Sequence, residues 1–184
     1  RKRLGQSYLK ASIGPEQEDL LAQTRELLQM SLPRLMRCWL GTPWDFNGTA
    51  HEPGTGKVAC GYFVSSVLQD AGFEVEWARL AQQASQNILG TFLPPEKMRI
   101  RVGMDYDAFL QEVLLSGPGI YIVGLDSHVA FLVITSSREI RFIHSSGSSP
   151  YCVIDEPREH SHVLRSSDYR VTGNLTASDE VLRK

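Results

Sequence analysis

A thiol becomes a nucleophile when its surroundings favour the thiolate and a base stands close enough to take its proton. The side chains able to supply that pairing in this chain are three cysteines, Cys38, Cys60 and Cys152, and five histidines, His51, His128, His144, His160 and His162. Cys60 has the best-placed neighbours. Cys60, Phe63, Val64, Val67, Leu68 and Ala71 follow the i, i+3, i+4, i+7, i+8, i+11 spacing of one buried helix face, and Gly72 supplies a C-terminal stop. Cys60 therefore falls in the first turn of a helix, where free backbone N–H groups and the positive end of the dipole favour an anion. The segment before it, Gly41 to Gly56, holds four glycines and two prolines and reads as a loop over which a substrate could approach. The competing reading of such a cysteine is a small apolar core residue.

The histidines add to the catalytic reading. In a strand spanning His128–Thr135, the even positions His128, Ala130, Leu132 and Ile134 share one face, and in the next strand Ile140, Phe142 and His144 share one face. A register that sets Ile134 opposite Ile140 puts Ala130 opposite His144 and makes His128 its diagonal neighbour. An odd-sum register would place the two imidazoles on opposite faces. With the even register, and with the Cys60 helix covering that apolar face, thiol, first imidazole and second imidazole converge as nucleophile, base and orienter.

Four segments carry a family resemblance: Gly41-Thr42-Pro43-Trp44 through Gly48, Ala59-Cys60-Gly61-Tyr62-Phe63-Val64, Asp126-Ser127-His128-Val129-Ala130 and Arg141-Phe142-Ile143-His144-Ser145-Ser146. Together they resemble the NlpC-type cell-wall cysteine peptidases, which have a papain-like fold. The resemblance implies a thiolate Cys60, His128 as general base and acid, His144 as orienter, and a Trp44 loop forming one wall of the substrate groove. Asp45, Asn47, Gly61 and Ser127 join Trp44 as expected substrate contacts, with Asp45 or Asn47 as a further donor. The family's usual Asp before the cysteine is Ala59 here, and its following Ser is Gly61. The implied substrates are amide bonds of peptidoglycan stem peptides or other peptides, cleaved without a metal or other cofactor by a monomer in a secreted, periplasmic or cell-envelope setting. An acyltransferase or amidase on the same fold is a second expectation, and a non-catalytic binding module with an inert Cys60 a third.

The elements that must position these residues are expected as follows. Gly14-Pro15 opens a helix with acidic residues in its first turn, ended or kinked by Pro33, with a further turn from Leu35 to Leu40. After the Cys60 helix come one helix over Trp77–Ile88, a loop around Pro94-Pro95, and a short helix capped by Asp105 and running through Phe109, Val113 and Leu114. Beyond Gly117-Pro118-Gly119 the period changes to strands Ile120–Leu125, His128–Thr135 and Glu139–Ser145, with weaker strands at Tyr151–Asp155 and Tyr169–Leu175. Helices first and strands later predict an α+β fold with an antiparallel meander. The resemblance makes it papain-like: a single catalytic domain over 1–184 with an N-terminal helical extension (1–40) and an insertion (73–119).

At 184 residues the chain is long enough for one well-buried core, and 19 Lys+Arg against 21 Asp+Glu leave no basic excess to suggest nucleic acid as partner. The longest apolar runs, Ile120–Leu125 and Val129–Ile134, are too short to span a bilayer. The opening Arg1-Lys2-Arg3, without methionine, is the expected mark of a trimmed or processed N-terminus. Cys38 and Cys152 read as packing residues, with a Cys38–Cys152 disulfide as an alternative that would leave Cys60 the odd thiol. His51 reads as a solvated loop residue at the groove edge. His160 and His162 read as exposed, and a zinc site built from Cys60, His128 and His144 lacks the C-x-x-C or H-E-x-x-H spacing that such sites use. Gly54-Thr55-Gly56-Lys57 lacks the strand and full spacing of a phosphate loop.

Overall fold

In the computed structural model, which describes residues 1–183, the apolar runs after Gly119 pair into one sheet. Its six strands are β1 (Met98–Val102), β2 (Gly119–Leu125), β3 (Val129–Ile134), β4 (Ile140–Ser145), β5 (Val153–Pro157) and β6 (Tyr169–Asn174). Their order is β1-β6-β2-β3-β4-β5 and every pairing is antiparallel. Strands β2 to β5 form the expected meander, and β6 returns to the free edge of β2. The helices are α1 (Lys2–Lys10), α2 (Pro15–Cys38), α3 (Cys60–Asp70), α4 (Trp77–Ala81), α5 (Ser85–Phe92), α6 (Tyr106–Leu115), α7 (His162–Ser166) and α8 (Asp179–Arg183). The class is α+β, with an open sheet.

Every residue of β2 and β3 is buried, because both faces of the sheet are covered. On one face Val129, Phe131, Val133 and Ile143 pack with α2, α3 and α5; on the other Ala130, Leu132, Ile134, Ile140 and Phe142 pack with Phe109, Leu110 and Val113 of α6. The Cys60 helix therefore lies on the face opposite the one expected: its Phe63 meets Phe131 edge-on at 5.9 Å, while α6 covers the histidine-bearing face. Both runs are apolar throughout, so alternation does not say which face each helix takes. The register does match the expectation, with Leu132 opposite Phe142 and Ile134 opposite Ile140.

Three local expectations change. Pro33 lies inside α2, which runs unbroken from Pro15 to Cys38. Leu28, Leu32 and Met36, all fully buried along one stripe, offset the lost hydrogen bond: burial contributes about 1.5–3 kcal/mol each, against about 3 kcal/mol for an internal proline. The single helix expected over Trp77–Ile88 is two, α4 and α5, because the two halves serve different surfaces. Trp77 is tied to α3, its carbonyl accepting from Ser65 Oγ and its Nε1–H donating to Ser66 Oγ, both at 2.7 Å, whereas Leu89 of α5 and the following Leu93 lie against Gly173 of β6. The loop expected around Pro94-Pro95 ends in β1, an edge strand rich in arginine whose five residues are too short to show a period against the prolines. Segment 73–119 thus contributes β1 to the sheet and α6 to the core. Asp105 caps α6 as expected, its Oδ1 accepting from the N–H groups of Asp107 and Ala108. His160 and His162 are exposed as expected, just before and at the first residue of α7.

Gly61 shows why a side chain is missing beside Cys60. A Cβ there would overlap the backbone carbonyl of Ala81, at the end of α4. Gly61→Ala should therefore push α4 off α3 and lower stability by about 1–3 kcal/mol, read as a drop in the urea midpoint at unchanged m-value.

Candidate active site

Cys60 is placed by the loop before it. The Ala59 N–H donates to the Gly48 carbonyl at 2.9 Å, and Val58 N–H donates to Pro43 at 2.9 Å. Gly48 is needed at that crossing, since a Cβ would run into the Lys57–Val58 peptide. Ser145 Oγ, at the end of β4, donates to the Val58 carbonyl at 2.7 Å, so the strand carrying His144 also anchors the approach to Cys60. Around the sulfur, the N–H groups of Val129, Gly61 and Cys60 itself favour the anion, but burial outweighs them and pushes the thiol pKa up. The helix terminus and its N–H groups are in place as expected, and burial works against the thiolate that the family resemblance implies.

The two histidines meet. His128 Nε2 lies 2.9 Å from His144 Nδ1, with the rings nearly perpendicular. His144 is fully buried, its ring against Phe142 at 4.2 Å, and its Nε2 lies 3.2 Å from Glu156 Oε2. A carboxylate only accepts, so with Glu156 ionised the proton on His144 sits on Nε2 and its Nδ1 accepts from His128 Nε2–H. That chain leaves Nδ1 of neutral His128 as the nitrogen with a free lone pair. Burial, and next to it the charge of His144 when protonated, drive the His128 pKa down to about 3 from 6.5. Burial thus works against the charged form of both members of the pair.

Cys60 and His128 both line one cleft of about 840 Å3. Of the residues expected to touch substrate, Trp44, Asn47, Gly61 and Ser127 line it as well. Trp44 is held by its N–H to the Tyr151 carbonyl at 2.7 Å and lies over Gly147. Asp45 does not reach the cleft lining: its carboxylate takes the Asn47 N–H at 2.9 Å and Lys57 Nζ at 3.1 Å. A short carboxylate two residues before a free N–H closes an Asx turn, and that local bond wins.

Several contributors were missed. Glu156 stands on β5 opposite Phe142, on the same face as His144; the alternation of that strand contains the signal, but the strand could be placed only weakly from sequence. Gln82 and Gln83 line the cleft because the helix breaks between α4 and α5. Phe46 lines it too and is 80% exposed. Of the remaining candidates, His51 bonds Gln69 Oε1 through Nε2 at 3.0 Å and packs on Trp77. Cys38, Cys60 and Cys152 are all free, so the disulfide alternative does not hold. Among the described residues no three His, Cys, Asp or Glu side chains form a metal-binding group, and both ring nitrogens of His144 already have partners. Neither a family model, nor a curated protein, nor a solved structure matches the chain.

The depressed His128 pKa has a stability consequence. Between about pH 3 and 6.5 the unfolded chain takes up a proton at this site that the folded chain refuses. The contribution of neutral His128 to folding is therefore present above pH 6.5 and is lost as pH falls toward 3. Urea midpoints measured at pH 7.5 and pH 4.5 should fall with acid in the parent chain, and His128→Gln should flatten that fall.

Proposed function

We propose that the chain is a cysteine hydrolase of papain-like type that cleaves amide bonds, with Cys60 as nucleophile and His128 as general base and acid. The observation that carries this reading is the His128–His144–Glu156 hydrogen-bonded relay, which ends at a cleft shared with a thiol at a helix N-terminus. Structural histidines seldom need a second buried imidazole and a carboxylate in series; a base that must present one defined nitrogen does.

The chemistry runs from a neutral pair. As Sγ bonds to the carbonyl carbon, the thiol proton passes to His128 Nδ1, and the carbonyl oxygen takes the negative charge beside the Cys60 N–H at the start of α3. The imidazolium then gives its proton to the nitrogen as the C–N bond breaks, leaving a thioester and a free amine. A water molecule next gives a proton to His128 while its oxygen bonds to the carbonyl carbon. The C–S bond breaks and the sulfur regains a proton. Net, amide and water become acid and amine. His144 fixes the ring of His128, and Glu156 favours the imidazolium that forms midway; both are positioning residues.

Peptide amides are the substrate class, with peptidoglycan stem peptides the members that the family resemblance implies, which would place the protein in the cell envelope. Acyl transfer on the same residues is a second reading, favoured by the aromatic cleft wall of Trp44, Phe46 and Tyr62; there an amine or alcohol takes the place of water.

Incubation with purified peptidoglycan fragments followed by mass analysis tests the proposal. Hydrolysis gives products that sum to substrate plus one water, and acyl transfer gives products that retain the acceptor. Cys60→Ala should abolish turnover, and turnover that survives it refutes the nucleophile. His128→Ala should lower kcat by about 10²–10⁴. Glu156→Gln keeps the shape but loses the charge; it should lower kcat roughly tenfold with KM little changed, and Glu156→Asp should recover part of that loss.

A further inference from the structure

The nucleophile stands where two hollows meet. One, of about 840 Å3, runs past Trp44, Phe46 and Asn47; the other, of about 350 Å3, runs past Ala84, Ser85 and Asp126. Cys60, Gly61, Gln82 and His128 line both. A substrate carbonyl at Cys60 therefore has open space beside it in both hollows.

The groove carries little charge. Among the described residues that line either arm, no lysine or arginine occurs, and the one acidic side chain is Asp126. Its carboxylate is already committed, accepting from Tyr169 N–H at 2.9 Å, Asp168 N–H at 2.9 Å and Ser167 Oγ at 2.7 Å. On the loop that forms the Trp44 wall, Lys57 is paired with Asp45. A substrate carboxylate would meet no cation here and would share the short arm with a like charge, and burying an unpaired carboxylate is costly. What the groove does present is neutral: the amides of Asn47, Gln82 and Gln83, the hydroxyls of Ser127 and Ser148, and the rings of Trp44, Phe46 and Tyr62. Phe46, held largely in water, is placed to be covered by an apolar group.

We infer that the substrate is an uncharged peptide segment, with carboxamides rather than free carboxylates beside the scissile bond and an apolar or aromatic group against Trp44 and Phe46. The inference rests on the hydrolase reading for the word substrate, but the neutrality of the groove stands on its lining alone.

Two measurements separate the inference from that reading. The first alkylates the folded protein with iodoacetamide or iodoacetate at one pH and follows each cysteine by peptide mass analysis, with the exposed Cys38 as internal reference. The neutral reagent should be preferred over the anionic one at Cys60 by about tenfold more than at Cys38. An equal or reversed ratio overturns the inference whether or not any peptide is cleaved. The second compares two stem peptides that differ only in a carboxylate or a carboxamide next to the scissile bond. Cys60-dependent cleavage at least about tenfold faster for the carboxamide supports the inference. Equal or faster cleavage of the carboxylate form overturns it and leaves the hydrolase standing. Cleavage of neither, with the alkylation preference present, overturns peptide hydrolysis and leaves the neutral groove standing. As a positive control, Gln83→Arg should raise the iodoacetate rate at Cys60.

Discussion

Residues paired directly across an antiparallel ladder share a face, and the ladder between β3 and β4 sets Leu132 opposite Phe142 and Ile134 opposite Ile140. Everything at the site follows from that register. It brings His128 and His144 to one side of the hairpin and within 2.9 Å. The next ladder then sets Glu156 opposite Phe142, where its carboxylate reaches the far nitrogen of His144. A slip of one residue in either ladder would send one member of this relay to the other face and leave a buried imidazole without a partner.

Burial sets the electrostatics of the pair. The same partial burial that raises the Cys60 thiol lowers the His128 imidazole, so both surroundings work against a standing ion pair. The three N–H groups around the sulfur and the carboxylate behind His144 work in the other direction. In the proposed reaction such an arrangement would stabilise charge as it develops rather than before it, which suits a groove whose lining carries one committed carboxylate and no cation.

Much of this was legible along the chain, for reasons that particular residues show. The α3 stripe from Cys60 to Ala71 is a helical period ended by Gly72, and Asp105 followed by an apolar run marks the capped start of α6. What failed were choices between surfaces. Pro33 would break an isolated helix, but the stripe Leu28, Leu32 and Met36 is buried deeply enough to carry α2 through it. The stretch after Trp77 can form one helix, but Ser65 and Ser66 hold its first turn on α3 while its second half is drawn to β6. Glu156 lay one residue past the weak strand expected over Tyr151–Asp155, because the polar end of β5 shows its pairing only against β4. Asp45 sits in a loop, where a bond to Asn47 two residues away costs less entropy than reaching toward a cleft.

By itself, then, the sequence determined the strongest periods: helices α2, α3 and α6, strands β2 to β4, where Cys60 falls on its helix, and that an even register would put His128 and His144 on one face. Periodicity is local, written in side chains a few residues apart. The tertiary structure alone decided that α3 covers the face opposite the histidines, that the sulfur lies beside the Val129 N–H at the strand's start, that Glu156 completes the relay, and that the groove is neutral. Those outcomes depend on which apolar face meets which, and two continuous apolar strands buried on both sides look the same from either side until the whole core is packed.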